Sequence, residues 1–357
     1  MFDHHTKTLI CQDALEEWNR VSQERIFWED PSWKEAIFSF LGASLDSQSL
    51  FGFSSADMVA HLFASQFFLQ AKKEGKNQFI TTVAEEVYVY QLLKRYEELG
   101  IVVKFAPLDS SGRVDLEALA SLITPRTALI SLSAANGLTG VIQPIEEIER
   151  LAKEKKVFLH FDLSWLLGKS FFSFQDLQAD YITFSGMGIH SVPHSAALIA
   201  KKEAPLLSEI KEAGRLWAPL ASLARSIRLV QFSQEMAPFE MARLKNLLEE
   251  SLLEKIAGVE VLLPDCQKLP NTTILSFPGV ERETLAYYLG KKGIFTNSSG
   301  NYFPDLKKLL AYSNLSGESA LSFSISRMTT EEEILSGVEE IVKTVKQLQK
   351  LSEALFI

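Results

Sequence analysis

Apolar and polar residues are arranged along this chain in a pattern that predicts strands separated by helices. Short runs rich in Val, Ile and Phe are typical of buried strands, and longer runs with apolar residues three or four positions apart are typical of helices. Strands of this kind separated by helices predict an α/β fold with a mostly parallel sheet covered on both faces. The strand-like runs are QFITTV, IVVKFAPLD, TALISLS, VFLHFD and DYITFS, and the helix-like runs are QLLKRYEELG, closed by Gly100, and PIEEIERLAKEKK, which begins at Pro144.

The pattern changes in the last third of the chain. A long helical stretch runs from about Ser222 to Ile256 and is interrupted by Pro238. The runs NTTILSFPGV and SALSFSIS then alternate with the helical runs RETLAYYLGKKG and TEEEILSGVEEIVKTVKQLQKLSEAL, a mixture that predicts a smaller α+β domain. We predict a large α/β domain over residues 15–235 and a small domain over residues 236–357, with residues 1–14 packed beside the small domain.

Composition narrows the classes of function. The chain has 357 residues and a net charge of -9, with scattered Lys and Arg that do not indicate a nucleic acid or an anionic membrane as partner. Its apolar runs are too short for a membrane span, and its first residues do not resemble a secretory signal. The two cysteines, Cys11 and Cys266, have no metal-binding spacing and fit a reducing compartment. We therefore expect a cytoplasmic protein.

Motifs for nucleotide phosphates and metals are not evident. The sequence contains neither GxxxxGK[ST] nor GxGxxG. His190 and His194 in HSVPH have helical spacing, but Pro193 argues against a shared helix, so we expect no metal site there. Asp3, His4 and His5 are expected to lie in a solvated N-terminal arm.

Several long stretches resemble one family. These are DSSGRVDLEALASLITPRTALISLSAANGLTGVIQPIEEIERLAKEKKVFLHFDLSWLLGKSFF, DLQADYITFSGMGIHSVPHSAALIAKKE, ILSFPGVERETLAYYLGKKGI and LSFSISRMTTEEEI. In this order they resemble the cysteine desulfurases of the class V aminotransferase group, from about residue 1 to residue 345. The resemblance implies the fold-type-I fold of pyridoxal-phosphate (PLP) enzymes, with a seven-stranded, mostly parallel sheet. It also implies PLP as cofactor and a homodimer with active sites at the subunit interface.

The family's chemistry depends on a known set of side chains. A lysine bonds covalently to the cofactor aldehyde and moves the Cα proton, and an aspartate holds the pyridine nitrogen protonated. A histidine stacks on the ring, while an asparagine and a glutamine contact its phenolic oxygen. Hydroxyl groups bind the phosphate, an arginine binds the substrate carboxylate, and a loop cysteine accepts the sulfur.

The resemblance places a glycine at the lysine position. The family's S-x-H-K matches Ser185 to Gly188, so Gly188 replaces the lysine and Met187 replaces the histidine before it. The aspartate of the ring nitrogen is retained as Asp162, and the glutamine three residues later is Trp165. Because the spacing between the aspartate and the lysine position matches the family's, a gap in the alignment does not restore the lysine.

Other positions near the cofactor differ as well. The stacking histidine is Glu86, which follows a retained Glu85. The second asparagine of the family's NNE is Gly137, after Asn136 and before Leu138. The phosphate-binding turn is matched by SSAD, which ends at Asp57 and places a carboxylate where a hydroxyl meets phosphate.

The substrate-side positions are also replaced. The threonine that a partner subunit donates matches Pro219 or a neighbour, and the loop cysteine matches the region of Tyr302. The carboxylate-binding arginine is Ser322, whereas Arg327 matches a different arginine of the family. Lys201 and Lys202 follow a strand and are expected to be solvated rather than to replace the lost lysine.

These replacements lead to three hypotheses. The first is a catalytically inactive desulfurase-like dimer that binds a ligand or regulates a partner in sulfur or amino-acid metabolism, without PLP. Its vestigial pocket would consist of Asp162, Ser185, Trp165, Glu86, Gly137 and Asp57, with the Trp165 indole filling space that the cofactor would occupy. The second is an active PLP enzyme with unusual residues. The third is a non-PLP use of the pocket through Glu86, Asp57 and His4 or His5. Asp162 has a purely structural interpretation too, as the cap of the turn that follows it.

Overall fold

The structure is a computed structural model that describes residues 2–4, 8–24, 30–44, 48–53, 57–170, 176–213, 216–299 and 302–355. Seven of the described strands form one sheet, in the order β1-β7-β6-β5-β4-β2-β3. Only β7 is antiparallel to its neighbours, and the other pairs are parallel. The mostly parallel seven-stranded sheet that the sequence predicts is confirmed. Its strands are β1 (Gln48–Phe53), β2 (Gln78–Thr82), β3 (Val102–Ala106), β4 (Thr127–Ser133), β5 (Phe158–Asp162), β6 (Tyr181–Ser185) and β7 (Ala196–Lys201).

Helices cover both faces of this sheet, because neighbouring strand residues point to opposite sides. In β2, Ile80 belongs to the apolar cluster on the first face of the sheet and Phe79 to the cluster on the second face. The first face packs against α1 (Gln12–Gln23), α2 (Pro31–Leu41), α6 (Leu116–Leu122), α7 (Ile145–Lys155) and α9 (Trp217–Ser233). The second face packs against α3 (Asp57–Gln66), which continues through a π-helical turn (Phe67–Ala71) into α4 (Lys72–Glu74), and against α5 (Val87–Glu98) and α8 (Ser208–Ala213).

Local sequence signals explain several of the helix ends. Gly100 follows α5 with a φ of 95°, a conformation that glycine adopts without strain. Pro144 occupies the position before α7, as expected from its place in the sequence. Pro238 lies in the first turn of α10 (Ala237–Lys255), where a missing backbone N–H costs little. The interruption predicted at this proline is therefore a break between α9 and α10.

A second, antiparallel sheet lies in the C-terminal third. It has the order β10-β9-β8 and packs with α10, α11 and α13 around a separate apolar cluster. Phe2 belongs to this cluster, and Asp3 forms a bridge with Ser324 at the free edge of β10. The elements are β8 (Glu260–Val261), β9 (Thr272–Ser276), β10 (Ala320–Ser324), α11 (Arg282–Lys291), α12 (Leu306–Ala311) and α13 (Glu331–Leu355).

The two sheets share part of their packing. Leu269, Phe303 and Leu306, all from the C-terminal third, belong to the apolar cluster of the large sheet. This contact brings the segment after residue 302 against the ends of β4 and β5. The division of the chain at residues 235 and 236 stays a prediction.

Candidate functional site

The candidate site lies at the carboxyl ends of β4, β5 and β6, where ligands commonly bind in parallel sheets. Register places Ser133 of β4 beside Asp162 of β5, and Asp162 beside Thr183 of β6. The polar residues that end these strands therefore meet at one edge of the sheet. Ser185, the last residue of β6, caps the short 3-10 helix that contains Gly188.

Asp162 is buried and engaged by its own surroundings. One carboxylate oxygen accepts a hydrogen bond from the backbone N–H of Ser164 at 2.8 Å, and the other accepts from the Thr183 hydroxyl at 2.8 Å. The first bond is the turn-capping contact that the structural interpretation of Asp162 predicts. Burial raises the pKa of Asp162, and the hydrogen bonds from Ser164 and Thr183 partly offset that effect.

A buried histidine extends this network behind Asp162. His160 lies 2.8 Å from Ser131 through Nδ1 and 2.8 Å from Thr183 through Nε2. Burial lowers the pKa of His160 to about 3, so the ring is neutral. Since the Thr183 hydroxyl donates to Asp162, Nε2–H donates to Thr183 and Nδ1 accepts from Ser131. Sequence reasoning missed both His160 and Thr183, although alternation along β5 places His160 and Asp162 on the same face.

Trp165 fills the space in front of these strands. Its side chain is only 2% exposed, and its ring centroid lies 5.3 Å from that of Phe303. The indole Nε1–H donates to the Glu86 carboxylate at 2.6 Å. The sequence analysis places the indole of Trp165 at this site, but it does not predict the contact with Phe303, which comes from the C-terminal third of the chain. Trp165 thus joins β5, the start of α5 and the C-terminal segment in one contact.

Gly137 allows the rings of Trp165 and Phe303 to come into contact. A Cβ atom at this position would lie 2.7 Å from Phe303 Cζ and 2.7 Å from Trp165 Cδ2. Real Cβ atoms do not approach other atoms so closely, so any larger residue here would displace the rings. Gly137, at the position that the resemblance assigns to the second asparagine, therefore leaves the space that Trp165 occupies.

The segment after residue 302 is held over the site. The carbonyl of Tyr302 accepts a hydrogen bond from the N–H of Val87 at the start of α5, at 2.8 Å. Phe303 beside it is only 2% exposed. The region that matches the family's cysteine loop is therefore anchored by a backbone bond and by an aromatic side chain.

Two further carboxyl groups lie at the site, those of buried Glu85 and partly buried Glu86. Glu85 accepts hydrogen bonds from the hydroxyl groups of Thr82 and Ser133, both at 2.8 Å, and burial raises its pKa to about 7. Burial and, secondarily, the charge of Asp162 raise the pKa of Glu86 to about 8. Burial and the negative charge of a neighbouring carboxylate both disfavour the ionised form, so Glu86 is mostly protonated near neutral pH.

The raised pKa of Glu86 gives a testable pH dependence. Between about pH 5 and pH 8 the folded chain holds a proton that the unfolded chain has lost, so this group's contribution to stability falls as pH rises. Glu86→Gln removes the titration while its amide oxygen still accepts from Trp165. We expect the free energy of unfolding of Glu86→Gln, relative to wild type, to rise with pH by up to about 1.4 kcal/mol per unit in this window.

Urea denaturation at several pH values measures this difference. The control is Glu98→Gln, which changes an exposed glutamate of the same helix. A constant difference between Glu86→Gln and wild type across the window would show that Glu86 is ionised in the folded protein.

Gly188 lies on the 3-10 helix against the turn that follows β5. A Cβ atom there would lie 2.8 Å from the carbonyl oxygen of Ser164 and 3.4 Å from Lys169 Nζ. The first carbon of any side chain at this position would thus meet fixed backbone. Met187 is partly buried beside it and packs against the large apolar cluster.

Lys169 is the residue near Gly188 that sequence reasoning missed. Its side chain is only 5% exposed, and its Nζ lies 5.1 Å from the ring centroid of Trp165. Burial lowers the pKa of Lys169 to about 8. The signal in the sequence is a lysine that directly follows the apolar run of DLSWLLGK, where a solvated side chain is not expected.

The residues at the remaining family positions form hydrogen bonds within the chain. Asn136 donates to the carbonyl of Ala84 at 2.8 Å and accepts from the N–H of Thr139 at 2.7 Å, so it shapes its own turn. Leu138 is fully buried, and its carbonyl accepts from the hydroxyl of Ser322 at 2.6 Å. The arginine position of the family is thus enclosed in the core.

Two sequence-based expectations need correction. Asp57, which the sequence analysis assigns to the vestigial pocket, is exposed at the start of α3 in the single chain. His4 is buried rather than solvated, and its ring centroid lies 6.3 Å from that of His190. The hydrogen bond from the His4 N–H to Ser324 holds this arm against β10, which is why it is not solvated. His5 and the three residues before Asp57 lie outside the described residues.

The other candidate residues lie apart from the site. His190 and His194 both have positive φ and share no helix, as Pro193 predicts. Lys201 pairs with Asp180 at 3.0 Å at the far end of β7 instead of being solvated, and Lys202 is exposed. Pro219 is partly buried in the first turn of α9. Among the described residues, no three His, Cys, Asp or Glu side chains converge as metal ligands would.

Comparison with known proteins decides the family. The sequence model described as aminotransferase class-V matches residues 32–208. A cysteine desulfurase of Nostoc sp. is 32% identical over 336 residues, which cover 89% of this chain and 82% of the relative. The chain belongs to the class V aminotransferase family. The chain is also 30% identical to the cysteine desulfurase NifS of Azotobacter vinelandii over 337 residues. The aligned region covers 89% of this chain and 82% of that relative.

Solved structures agree with this class V aminotransferase fold. A NifS-like protein superposes with a TM-score of 0.85 over 97% of this chain and 99% of its own, at 24% identity. A NifS-like protein of Rickettsia africae superposes with a TM-score of 0.81 over 98% of this chain and 99% of its own, at 19% identity. The fold-type-I architecture of PLP-dependent enzymes, which the sequence resemblance implies, is confirmed. None of the helices in the described ranges combines the length and apolar character needed to cross a bilayer.

Proposed function

We propose that this cysteine desulfurase-like chain does not perform PLP chemistry and acts as a homodimeric binding or regulatory protein. The observation that carries the proposal is the environment of Gly188. A Cβ there would lie 2.8 Å from the Ser164 carbonyl oxygen, so the site lacks both the lysine and the room for its first carbon. PLP enzymes of this family depend on that lysine for covalent attachment and for proton transfer.

The residues around Gly188 do not fit PLP. The retained carboxylate of Asp162 would suit a pyridine nitrogen, but Trp165 and Phe303 are in contact in front of it. Gly137 brings both rings so close that no space is left at its own Cβ position. A pyridine ring would need this aromatic contact to open, which would expose apolar surface to water.

Lys169 does not replace the missing lysine in this proposal. Its amine lies beside Gly188 and over the Trp165 ring, not in an open pocket. The cavity that Lys169 lines has a volume of about 10 Å³, close to that of one water-sized particle. A substituted pyridine is many times larger, so its aldehyde could not reach this amine without rearrangement of the site.

The substrate side supports the same proposal. Ser322 donates to a backbone carbonyl in the core, and Tyr302 occupies the region of the cysteine loop. A desulfurase needs a cation for the substrate carboxylate and a thiol to accept sulfur. The third hypothesis, a non-PLP use of Glu86 with Asp57 and His4, has no support, since Asp57 is exposed and the cavity that His4 lines includes neither Glu86 nor Asp57.

Sulfide release from cysteine tests the proposal at the level of activity. Purified protein is incubated with cysteine, a reductant and added PLP, with an active desulfurase as the positive control. We expect no more sulfide than PLP alone releases in the absence of protein. Turnover above that background would favour the second hypothesis, an active enzyme with unusual residues.

The proposed homodimer has a separate test. Three large apolar side chains are exposed near the junction of α9 and α10, namely Phe232 at 94%, Met236 at 72% and Phe239 at 62%. Exposed apolar groups of this kind are typical of interaction surfaces. We expect sedimentation at micromolar concentration to give twice the mass of the 40.0 kDa chain. A monomer alone would contradict this assembly and would direct attention to a heteromeric partner.

A further inference from the structure

A small cavity lies on the side of Lys169 that faces the N-terminal arm. It has a volume of about 10 Å³, which one water-sized particle fills. Its walls come from six parts of the chain: the N-terminal arm, the turn after β5, the 3-10 helix, α9, α10 and the loop after β10. The polar or charged side chains among the lining residues are His4, Thr8, Lys169, His190, Ser326 and Arg327.

Lys169 reaches this cavity as a buried amine without a partner. Its side chain is 5% exposed, and its Nζ has no hydrogen-bond partner among the described residues. It makes no ion pair with a described carboxylate either. The face of Trp165 provides a weak attraction for a cation, but an aromatic face does not accept three N–H bonds. A buried ammonium in this position needs a counter-charge or must lose its proton.

Arg327 adds a second positive charge to the same cavity. Its Nε is buried and has no hydrogen-bond partner in the described part of the chain. Arg327 and Lys169 both act on His190, since their charges help burial to lower the pKa of that histidine to about 4. No aspartate or glutamate is among the residues that line the cavity. Lys169 and Arg327 therefore both line one small cavity that has no compensating carboxylate among its described lining residues.

Among the neutral groups of the cavity, Ser326 can add a hydrogen-bond donor, whereas the donor of His190 is already used. The Nδ1–H of His190 donates to the carbonyl of Leu9 at 2.7 Å, which fixes the ring while it is neutral. The hydroxyl oxygen of Ser326 accepts from the N–H of Met328 at 3.1 Å and retains its own proton as a donor. The cavity thus offers an ammonium, a guanidinium N–H and a hydroxyl, all of which are donors to an anion.

We propose that this cavity is a binding site for one small inorganic anion of the size of chloride, held by Lys169 and Arg327. A cavity with room for one water-sized particle suits a monatomic anion better than a polyatomic one. An anion here links the turn after β5 to the loop after β10 through the charges of Lys169 and Arg327. The proposal does not depend on the loss of PLP chemistry, because the cavity is lined by Gly188 and Lys169 but not by Asp162, Trp165 or Phe303.

Bromide replaces chloride in the direct test of this site. Crystals of the full chain are soaked in sodium bromide, and anomalous scattering is recorded at the bromine absorption edge. We expect an anomalous peak within hydrogen-bond distance of Lys169 Nζ and the Arg327 guanidinium. An electron-density map with only a water or no feature at this position, at saturating bromide, would overturn the proposal.

Thermal unfolding tests the site in solution. At constant ionic strength, replacement of gluconate by chloride is expected to raise the melting temperature of wild type by about 2 °C. Lys169→Met keeps the apolar stem without the charge and should lose this rise. Lys202→Met, which changes an exposed lysine, should keep it.

A second variant covers the case in which Lys169→Met does not fold. Arg327→Gln retains a donor but removes the positive charge, and it should lose most of the chloride-dependent rise. An equal rise in wild type and in whichever of these variants folds would show that chloride acts elsewhere, and the proposal would be wrong.

Discussion

Replacement of Trp165 by alanine is expected to lower the free energy of unfolding by about 4 kcal/mol. Three effects add in this variant. The indole is almost completely buried, its ring contacts Phe303, and its Nε1–H is the donor to Glu86. Removal of the ring leaves a cavity between the end of β5 and the C-terminal segment, and Gly137 on its wall has no side chain with which to fill it.

Urea denaturation monitored by circular dichroism measures this loss. Trp18→Ala is the matched control, because Trp18 on α1 is 37% exposed and its removal creates no enclosed cavity. We expect the control to lose less than about 1 kcal/mol. A loss as small for Trp165→Ala as for Trp18→Ala would contradict the view that the indole is an integral part of the core.

Gly188→Lys is expected to lower the free energy of unfolding by about 3 kcal/mol and to create no desulfurase activity. The stability loss follows from the contact of the new Cβ with the carbonyl of Ser164, which is backbone and cannot rotate away. The new amine would also add a positive charge close to Lys169. Activity is not expected, because Ser322 and Tyr302 still occupy the positions of the arginine and the cysteine.

Gly290→Lys is the control for this substitution. Gly290 lies in α11, and a Cβ there would have no atom within 4 Å. A lysine at Gly290 should leave stability unchanged or raise it slightly, since lysine favours helices more than glycine does. Normal stability of Gly188→Lys would show that the 3-10 helix can move. Sulfide release by this single variant would contradict the view that the whole catalytic set is lost.

The fold could be predicted well from the sequence because its central strands are mainly apolar and are separated by helical segments. β4, β5 and β6 are buried along almost their whole length, and Ile, Leu and Phe are their main apolar residues. β1 was missed because its neighbouring residues give no helical or alternating pattern. The antiparallel direction of β7 was not predicted either, since periodicity does not encode strand direction.

The candidate site was predicted only in part. The positions of Asp162, Trp165 and Gly188 follow from the family resemblance, and the structure places them at one edge of the sheet. The pairing of Trp165 with Glu86 and Phe303 could not be predicted, because these three residues are far apart in sequence and no pattern links them. Their contact depends on how the C-terminal segment lies over the end of β5.

Lys169 was missed for a related reason. Lysine is normally solvated, so a single sequence assigns it to the surface. Gly168 has a φ of 70°, a conformation open to glycine, and it turns the chain so that Lys169 points inward. Gly188, which the family resemblance places at the lysine position, and the buried Lys169 thus lie side by side in space although they are separated in sequence.

Equilibrium titration of the wild-type protein with PLP is the most direct test of the central claim that Trp165, Phe303 and Gly188 close the cofactor site. Bound cofactor is followed by its visible absorbance and by retention on dialysis, with an active desulfurase stripped of PLP as the positive control. We expect no saturable binding of PLP by this chain at micromolar concentration, and a colourless protein after dialysis. Stoichiometric binding with a micromolar dissociation constant would contradict the claim.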